Sequence, residues 1–239
     1  KRVLRPSTVA EATPDVLVIG DSHTTALWQG CVANGLNPEV LSISGNIWHA
    51  AHLAYDEAHG IWARSPAHQR NILALRQRLG GDSLAARHRP VIASIGFHLG
   101  RLVPPLSFRG HVTDRQEFMA DDTALFISSA LLRAYVRRYR APQLKLLRRL
   151  SRATNLVVVA PPEGRAGPNY AAVRRCIVDM MRESGITVYD PGETGRFALQ
   201  RPLPDEYLAA DKAHANERYG AGVVADMLEA GLVPLAAKV

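Results

Sequence analysis

Short apolar runs rich in valine and isoleucine recur along the chain, and each is followed by a helical pattern or by a loop that leads to one. The runs cover Val16 to Ile19, Val40 to Ile43, Val91 to Ile95, Leu156 to Ala160 and Ile186 to Tyr189. Runs of this kind are typical of buried strands, and their alternation with helices predicts a parallel sheet covered on both faces. The sequence therefore predicts an α/β fold, a three-layer α/β/α sandwich around a central, mostly parallel, five-stranded sheet.

In open sheets of this type, ligands bind beyond the carboxyl ends of the strands. Three residues follow such ends directly: Ser22 after the first run, Gly45 after the second and His98 after the third. Because parallel strands end at one edge of a sheet, we expect these residues to lie close together. The pattern predicts a functional site at this edge.

The chemistry expected at this edge comes from two segments at opposite ends of the chain. Ser22 lies between the first run and a predicted helix from Thr24 to Ala33, so it occupies a tight turn where unpaired helix amides favour negative charge. A serine hydroxyl becomes a nucleophile only when a base takes its proton. His214 is the best candidate, because Asp211 three residues earlier can orient its ring, whereas the side chain of His23 should diverge from that of its neighbour at a sharp turn. These residues predict a serine hydrolase triad, with simple helix capping as the alternative.

Four short blocks occur in order along the chain: Gly20-Asp21-Ser22-His23, Ser42-Ile43-Ser44-Gly45-Asn46, the stretch VIASIGFHLG from Val91 to Gly100, and Asp211 to His214. In this order they resemble the blocks of the SGNH (GDSL-type) hydrolase family. The resemblance implies a flavodoxin-like fold, Ser22 as nucleophile, and Asp211 with His214 as acid and base. The third block departs from the family pattern, because His98 stands where the family has an asparagine.

The resemblance also implies an oxyanion hole at the same place. The amides of Ser22 and Gly45 would donate to the oxyanion, and a neutral His98 ring still offers one N–H in place of the missing asparagine. Losing one such donor costs an acyl-transfer enzyme about 3 to 4 kcal/mol of transition-state stabilisation. Further substrate contacts are expected from residues within these blocks or beside them: Asp21, His23, Asn46, His49 and Phe97.

The implied activity is hydrolysis of a carboxylic ester through an acyl-serine intermediate, most often a short acyl or acetyl group on a carbohydrate or related molecule. The mechanism requires no cofactor and no metal. Two alternatives stay open at this point. One is an O-acetyltransferase that passes the acyl group to a glycan hydroxyl, as in related bacterial domains. The other is a glycan-binding or assembly module that has lost turnover.

The rest of the chain predicts one domain over 15–239, preceded by a polar N-terminal extension at 1–14. The irregular segment 100–122 contains two prolines and several aromatic residues. A segment of this length is often functional or mobile, so we expect it to form a lid or pocket wall, with a surface excursion as the alternative.

Four polar residues, His49, His52, Asp56 and His59, recur at helical spacing after the second block. Imidazole and carboxylate groups on one helix face could bind a divalent metal. The spacing matches no zinc signature, however, and a solvated helix face explains the same residues. The interpretation that we favour is a surface helix without a metal.

Net charge adds little to this picture. The chain carries 29 Lys and Arg against 22 Asp and Glu, with the excess concentrated in 133–152, on both sides of Pro142. Leucines interleave with these charges, which predicts two amphipathic helices with solvated faces rather than a nucleic-acid site. No apolar stretch is long enough to cross a membrane, and the extension does not resemble a signal peptide, which favours a soluble, cytoplasmic protein. Cys31 and Cys176 are expected to be buried apolar residues, although a single disulfide stays open.

Overall fold

A computed structural model describes residues 14–57, 59–81, 89–107, 110–162, 167–198, 200, 202–212 and 214–235. Nearly all of the predicted N-terminal extension, and Phe108 of the predicted lid, lie outside these residues. The strands in chain order are β1 Val16–Gly20, β2 Pro38–Ser42, β3 Leu53–Asp56, β4 Gly60–Ala63, β5 Val91–Ser94, β6 His111–Val112, β7 Leu125–Phe126, β8 Leu156–Val159 and β9 Val188–Tyr189. The helices are α1 Thr24–Ala33, α2 Gly45–His49, α3 Pro66–Arg78, α4 Val103–Ser107, α5 Arg115–Ala120, α6 Ser129–Ala153, α7 Pro168–Glu183 and α8 Glu217–Glu229.

The central sheet has the order β2-β1-β5-β8-β9, and all neighbouring strands in it are parallel. The five strands are those predicted from the apolar runs, so the predicted fold class is confirmed. Counted along the sheet alone, the order is 2-1-3-4-5, the flavodoxin-like arrangement of a doubly wound sheet. The chain reverses its direction of travel across the sheet at β1, and the crevice beside β1 is where such sheets bind ligands.

Alternating side chains of β1 point into two separate cores. Val16 and Val18 pack with residues of α1 and α8, whereas Leu17 and Ile19 pack with residues of α3, α6 and α7. All four are fully buried. A strand with both faces covered buries every side chain, which is why β1 reads as a continuous apolar run in the sequence.

The helices α1 and α8 meet through glycine. A Cβ added to Gly30 would lie 2.2 Å from the carbonyl oxygen of Gly220, and a Cβ added to Gly220 would lie 1.8 Å from the carbonyl oxygen of Ala26. The amide of Asn34 donates to the carbonyls of Gly30 and Ala221, at 2.8 and 3.0 Å, and so joins the two helices. Only residues without a Cβ allow this approach of one backbone to the other.

Helix α6 corrects the prediction of two helices around Pro142. The structure has one helix of 25 residues with Pro142 inside it. Proline removes one backbone hydrogen bond and clashes with the preceding turn, which normally ends a helix. Here the apolar stripe continues through the proline, with buried residues on both sides of it, and packing on the sheet outweighs that local cost. The prediction that the helix is amphipathic is confirmed.

The prediction of a helix after the second block is also wrong. The helix predicted across 49–59 is not found among the described residues, since α2 ends at His49 and residues 53–56 form β3, which pairs with β4 in an antiparallel hairpin. His49, His52, Asp56 and His59 therefore share no helix face. The predicted irregular segment 100–122 contains α4, β6 and α5, so it is more regular than expected.

The two cysteines lie on different helices, as predicted. Cys31 is buried in α1 and Cys176 is half-buried in α7, and both are free thiols. Burial raises the pKa of the Cys31 thiol to about 12. Cys31 therefore acts as a small apolar residue of the core, and the disulfide that the sequence left open is not formed.

The α1–α8 contact leads to a stability prediction. We expect Gly220→Ala to lower the free energy of unfolding by about 1 to 3 kcal/mol, because the new methyl group meets backbone atoms of α1 that cannot rotate away. Chemical denaturation measures this change. Gly100→Ala is the matched control, since a Cβ there meets no atom within 4 Å. An equal effect of the two substitutions would contradict the account of the contact.

Candidate active site

The turn after β1 requires glycine at its first position. Gly20 has a φ of +151°, and a Cβ there would lie 2.2 Å from the carbonyl oxygen of Ser94 in β5. Any side chain would push the two central strands apart. The close approach directs the chain out of the sheet and into the turn that carries Ser22.

The buried carboxylate of Asp21 holds the turn in place. One of its oxygens accepts from the backbone N–H of His23 at 3.1 Å and from the hydroxyl of Ser94 at 3.2 Å. The Asp21 carbonyl accepts from the backbone N–H and the hydroxyl of Thr24, at 3.1 and 2.6 Å. The backbone N–H of Ser22, which lies between these bonded groups, donates to no group among the described residues. It is therefore available to a ligand.

The second half of the site is a short loop before α8. Residues Leu208 and Ala215 form an antiparallel bridge, and the side-chain amide of Asn216 donates to the carbonyls of Glu206 and Leu208. Asn216 also caps α8, because its side chain accepts from the backbone N–H of Tyr219. The loop is thus fixed to the start of the helix that packs on α1.

The two halves meet at hydrogen-bond distance. His214 Nε2 lies 2.8 Å from Ser22 Oγ, and His214 Nδ1 lies 2.6 Å from Asp211 Oδ2. The other oxygen of Asp211 accepts from the backbone N–H of His214 at 3.0 Å. Nδ1–H donates a hydrogen bond to the Asp211 carboxylate, so the ring proton stays on Nδ1 and the lone pair of Nε2 faces the serine hydroxyl. This is the arrangement in which an imidazole can take the serine proton.

The group is open to solvent. Ser22 is exposed, and the side chains of His214 and Asp211 are 38% and 53% exposed. Water can therefore reach the serine without displacement of any described side chain.

The ring of His23 lies beside the ring of His214. Its ring centroid is 5.3 Å from that of His214. The Nδ1 atom of His23 is buried, and it has no hydrogen-bond partner among the described residues. Burial is the main cause that lowers the pKa of His23, and it outweighs the opposing effect of the Asp21 charge. A neutral ring at this position adds no positive charge beside the base.

On the other side of Ser22, the turn after β2 contacts the turn after β5. A Cβ on Gly45 would lie 2.3 Å from Nδ1 of His98, so only glycine admits the ring. His98 Nε2 lies 3.1 Å from Oδ1 of Asn46, and the same oxygen accepts from Nε of Arg101 at 2.8 Å. The backbone N–H of Gly45 donates to no group in the described part of the chain. As with Ser22, this amide is available.

Behind this turn lies Arg140 of α6, which is 1% exposed. Its guanidinium donates to the carbonyls of Phe97 and His98, at 2.6 and 3.3 Å, and one of its N–H groups faces Nδ1 of His49 at 3.0 Å. These bonds hold His98 in its left-handed conformation, with a φ of +30°. Burial lowers the pKa of Arg140 to about 10, so the guanidinium stays charged near neutral pH.

We call the residues on this side of the site the basic cluster: Asn46, His49, His98, Arg101 and Arg140. Burial is the largest cause that lowers the pKa of both His49 and His98, and the charges of Arg140 and Arg101 act in the same direction. Asp21 opposes the shift at His98. Both histidines are therefore more readily neutral than a free imidazole.

The structure brings together most of the predicted site residues. Ser22, His214 and Asp211 form one hydrogen-bonded group, and Gly45, Asn46, His49 and His98 lie together at the turns after the two strands that flank β1. Asp21 and Phe97 are only 5% and 3% exposed. Their contact with substrate stays a prediction that this burial disfavours.

The two arginines of the basic cluster were not predicted from the sequence as site residues. The prediction of a solvated basic face is wrong for Arg140, because its side chain is buried. The spacing in α6 carries the missing signal: Leu132, Val136, Gln143 and Leu147 are all buried, and Arg140 falls on the same stripe. Arg101 follows the third block closely but belongs to no recognised motif.

Most other basic residues of 133–152 lie at the surface, as predicted. Several of them line a groove of about 590 Å³ between α6 and α7, together with Leu144, Met180 and Glu183. Within the described ranges, no group of three metal-binding side chains is found, and no helix is long and apolar enough to span a membrane.

Neither a protein-family model nor a curated protein sequence matches the chain. The chain is similar to the solved structure of the psychrotrophic esterase EstA from Pseudoalteromonas sp., inhibited by monoethylphosphonate. The identity is 13%, the alignment covers 91% of this chain and 98% of that one, and the TM-score is 0.45. A likeness of this size establishes neither family nor activity.

The buried histidine beside the site leads to a pH prediction. The pKa of His23 is lower in the folded protein than its ordinary value near 6.5. Between these two pKa values, His23 is protonated in the unfolded chain and neutral in the folded protein. As the pH falls through about 6.5, His23 therefore favours unfolding, until the pH drops below its folded pKa. We expect the unfolding free energy of the wild type to fall more between about pH 7.5 and about pH 5.5 than that of His23→Leu. Equal falls in urea denaturation would contradict this assignment.

Proposed function

We propose that the protein is a serine-dependent acyl-ester hydrolase of the SGNH type, which acts through an acyl-serine intermediate. The observation that carries the proposal is the 2.8 Å distance between Ser22 Oγ and His214 Nε2, together with Asp211 at 2.6 Å on the other ring nitrogen. By the resemblance in its sequence blocks, the substrate is a short acyl or acetyl ester of a carbohydrate or related molecule.

In the first step, Ser22 Oγ attacks the ester carbonyl while His214 Nε2 takes the hydroxyl proton. Asp211 stabilises the imidazolium that forms. The C–O bond to the leaving alcohol then breaks, and His214 returns the proton to the alcohol oxygen. An acyl group is left on Ser22.

In the second step, His214 removes a proton from water, and the resulting hydroxide attacks the acyl carbonyl. Collapse of this intermediate releases the carboxylic acid and restores the serine hydroxyl, with the proton returned by His214. The exposure of the group favours water as the acceptor, since a transferase has to exclude water from its acyl-enzyme.

Negative charge develops on the carbonyl oxygen in both steps. The backbone N–H groups of Ser22 and Gly45 are the proposed donors, because neither is used within the described residues. The His98 ring, by contrast, is not proposed as a donor to the oxyanion. Asn46 Oδ1 accepts from Arg101, so the nearby His98 Nε2 serves as a second donor to this oxygen, and a neutral ring has no other N–H. We therefore give the His98 ring a positioning role in the proposal, beside Gly45.

The direct test is covalent labelling with a fluorophosphonate, which reacts with activated serines. We expect the wild type to be labelled and Ser22→Ala not to be labelled. A folded wild type that resists the probe at neutral pH would overturn the proposal and favour a module without turnover.

Analysis of the products decides whether water or a glycan accepts the acyl group. The protein is offered an activated acetyl ester together with a glycan acceptor. The hydrolase assignment fails if acetylation of the glycan is faster than release of free acetate.

A second prediction concerns the acid. We expect Asp211→Asn to lower kcat for an activated acetyl ester by about 10⁴-fold, by analogy with the same change in a serine protease, because the ring loses its orienting carboxylate. Asp205→Asn in the same loop is the matched control. Its carboxylate is exposed and pairs with Lys212 at the surface, so its removal should leave kcat within about twofold. Similar losses in both variants would contradict the role of Asp211.

A further inference from the structure

The basic cluster carries positive charge without an acidic partner. Arg140 is buried, and all the groups that its guanidinium contacts are neutral. Arg101 is exposed, and it bonds to the amide oxygen of Asn46. Among the described residues, no carboxylate forms an ion pair with either arginine. Buried cations are normally paired, so a cluster of this kind suits a negatively charged ligand.

The unused polar atoms of Asn46, His49 and Arg101 are hydrogen-bond donors. Arginine only donates, so the Asn46 side-chain atom that faces Arg101 is the oxygen, and its NH₂ group is left to bind elsewhere. By the same argument, Nδ1 of His49 accepts from Arg140, and its proton is on Nε2. The terminal nitrogens of Arg101 donate to no group within the described ranges. Donors from three side chains, with no carboxylate paired to either arginine in the described part of the chain, define a site for an anion.

This site adjoins the nucleophile. The strands β2 and β5 both pair with β1, with Ser42 and Ser94 opposite Gly20, so the turns that carry Asn46 and His98 flank the turn of Ser22. Two electrostatic neighbours of His98 are Asp21 and His23, which flank Ser22 in the chain. One molecule can therefore place an ester carbonyl at Ser22 and a second group at the cluster.

We propose that the substrate carries a carboxylate close to its ester, and that Arg101, Asn46 and His49 bind this carboxylate. The inference rests on the proposed function, which it narrows to esters of acidic molecules, such as acyl groups on a sugar acid or half-esters of a dicarboxylic acid. Arg101 makes the direct ionic contact. Arg140 adds positive charge from the protein interior, and its hydrogen bond to Nδ1 fixes the ring of His49.

The test uses two matched pairs of chromogenic or phenolic esters that differ in one charge. On the acyl side, 4-nitrophenyl hemisuccinate is compared with the neutral 4-nitrophenyl 4-oxopentanoate. On the alcohol side, 4-acetoxybenzoate is compared with 4-acetoxybenzamide. After subtraction of the rate of each ester without enzyme, which for the hemisuccinate includes attack by its own carboxylate, and correction for their reactivity towards hydroxide, we expect the wild type to favour the anionic member of at least one pair by about tenfold or more in kcat/KM. Added salt should reduce this preference.

The preference should depend on Arg101. In Arg101→Gln we expect the ratio of kcat/KM between the anionic and neutral esters to fall about tenfold, mainly through KM. Arg76→Gln is the matched control, because Arg76 lies in the last turn of α3, beside Arg78, which pairs with Glu39 near the start of β2. Arg76 therefore lies near the amino ends of the strands, whereas the candidate site lies at their carboxyl ends. No preference in either pair, or a preference that survives Arg101→Gln, would overturn the inference.

A binding measurement that needs no turnover distinguishes failure of the anion site from failure of the proposed function. Calorimetry on Ser22→Ala compares 4-acetamidobenzoate with 4-acetamidobenzamide, which are amide analogues of the alcohol-side pair, and monomethyl succinate with methyl 4-oxopentanoate for the acyl side. Tighter binding of a carboxylate that is lost on adding Arg101→Gln supports the anion site even if the fluorophosphonate fails to label Ser22. Equal binding within both pairs, or no binding of any compound, overturns the anion site whether or not Ser22 is labelled.

Discussion

The contact between Gly30 and Gly220 is the constraint on which the site depends. It lets α1 and α8 approach at the level of their backbones, and each helix begins directly after one half of the candidate active site. Ser22 lies just before α1, and His214 lies just before α8. A distance of 2.8 Å between side chains that are 192 residues apart is thus set by helix packing in the core, and the loop bonds of Asn216 adjust it locally.

The groups around Ser22 differ in charge, with a carboxylate behind His214 and two arginines in the basic cluster. On one side, the carboxylate of Asp211 compensates the proton that His214 would carry during catalysis. On the other side, Arg101 and Arg140 have no acid beside them in the described structure. The serine turn itself is held by the buried carboxylate of Asp21, through neutral partners. An ester carbonyl at Ser22 would therefore have a base at one end and a positively charged environment at the other.

The sequence predicted those parts of the molecule that local pattern determines. The five strands of the central sheet and the helix Thr24–Ala33 lie where the apolar runs and their spacing indicate, because a strand buried on both faces leaves a continuous apolar run. Parts that depend on distant packing were not predicted. Pro142 does not end α6, since the sheet supplies a continuous apolar surface. Of the three histidines expected on one helix face, only His49 lies in a helix, whereas His52 precedes the β3–β4 hairpin and His59 lies in its turn.

The candidate site shows the same division. Ser22, Asp211 and His214, which the structure brings within hydrogen-bond distance, were predicted from short motifs, because each motif needs only its own turn to present the side chain. The burial of Arg140 was missed, since counting charges along 133–152 treats every arginine as a surface residue. The role of Asn46 as the acceptor for Arg101 depends on a contact between two strand ends, which no single stretch of sequence encodes.

The wide separation of the two halves has a consequence for biosynthesis. In a nascent chain, Ser22 is synthesised 192 residues before His214, the base proposed for it. The two side chains come within hydrogen-bond distance only when α8 has packed against α1. Under the proposed function, the serine would therefore gain its reactivity towards an ester only late in folding, after α8 has been added.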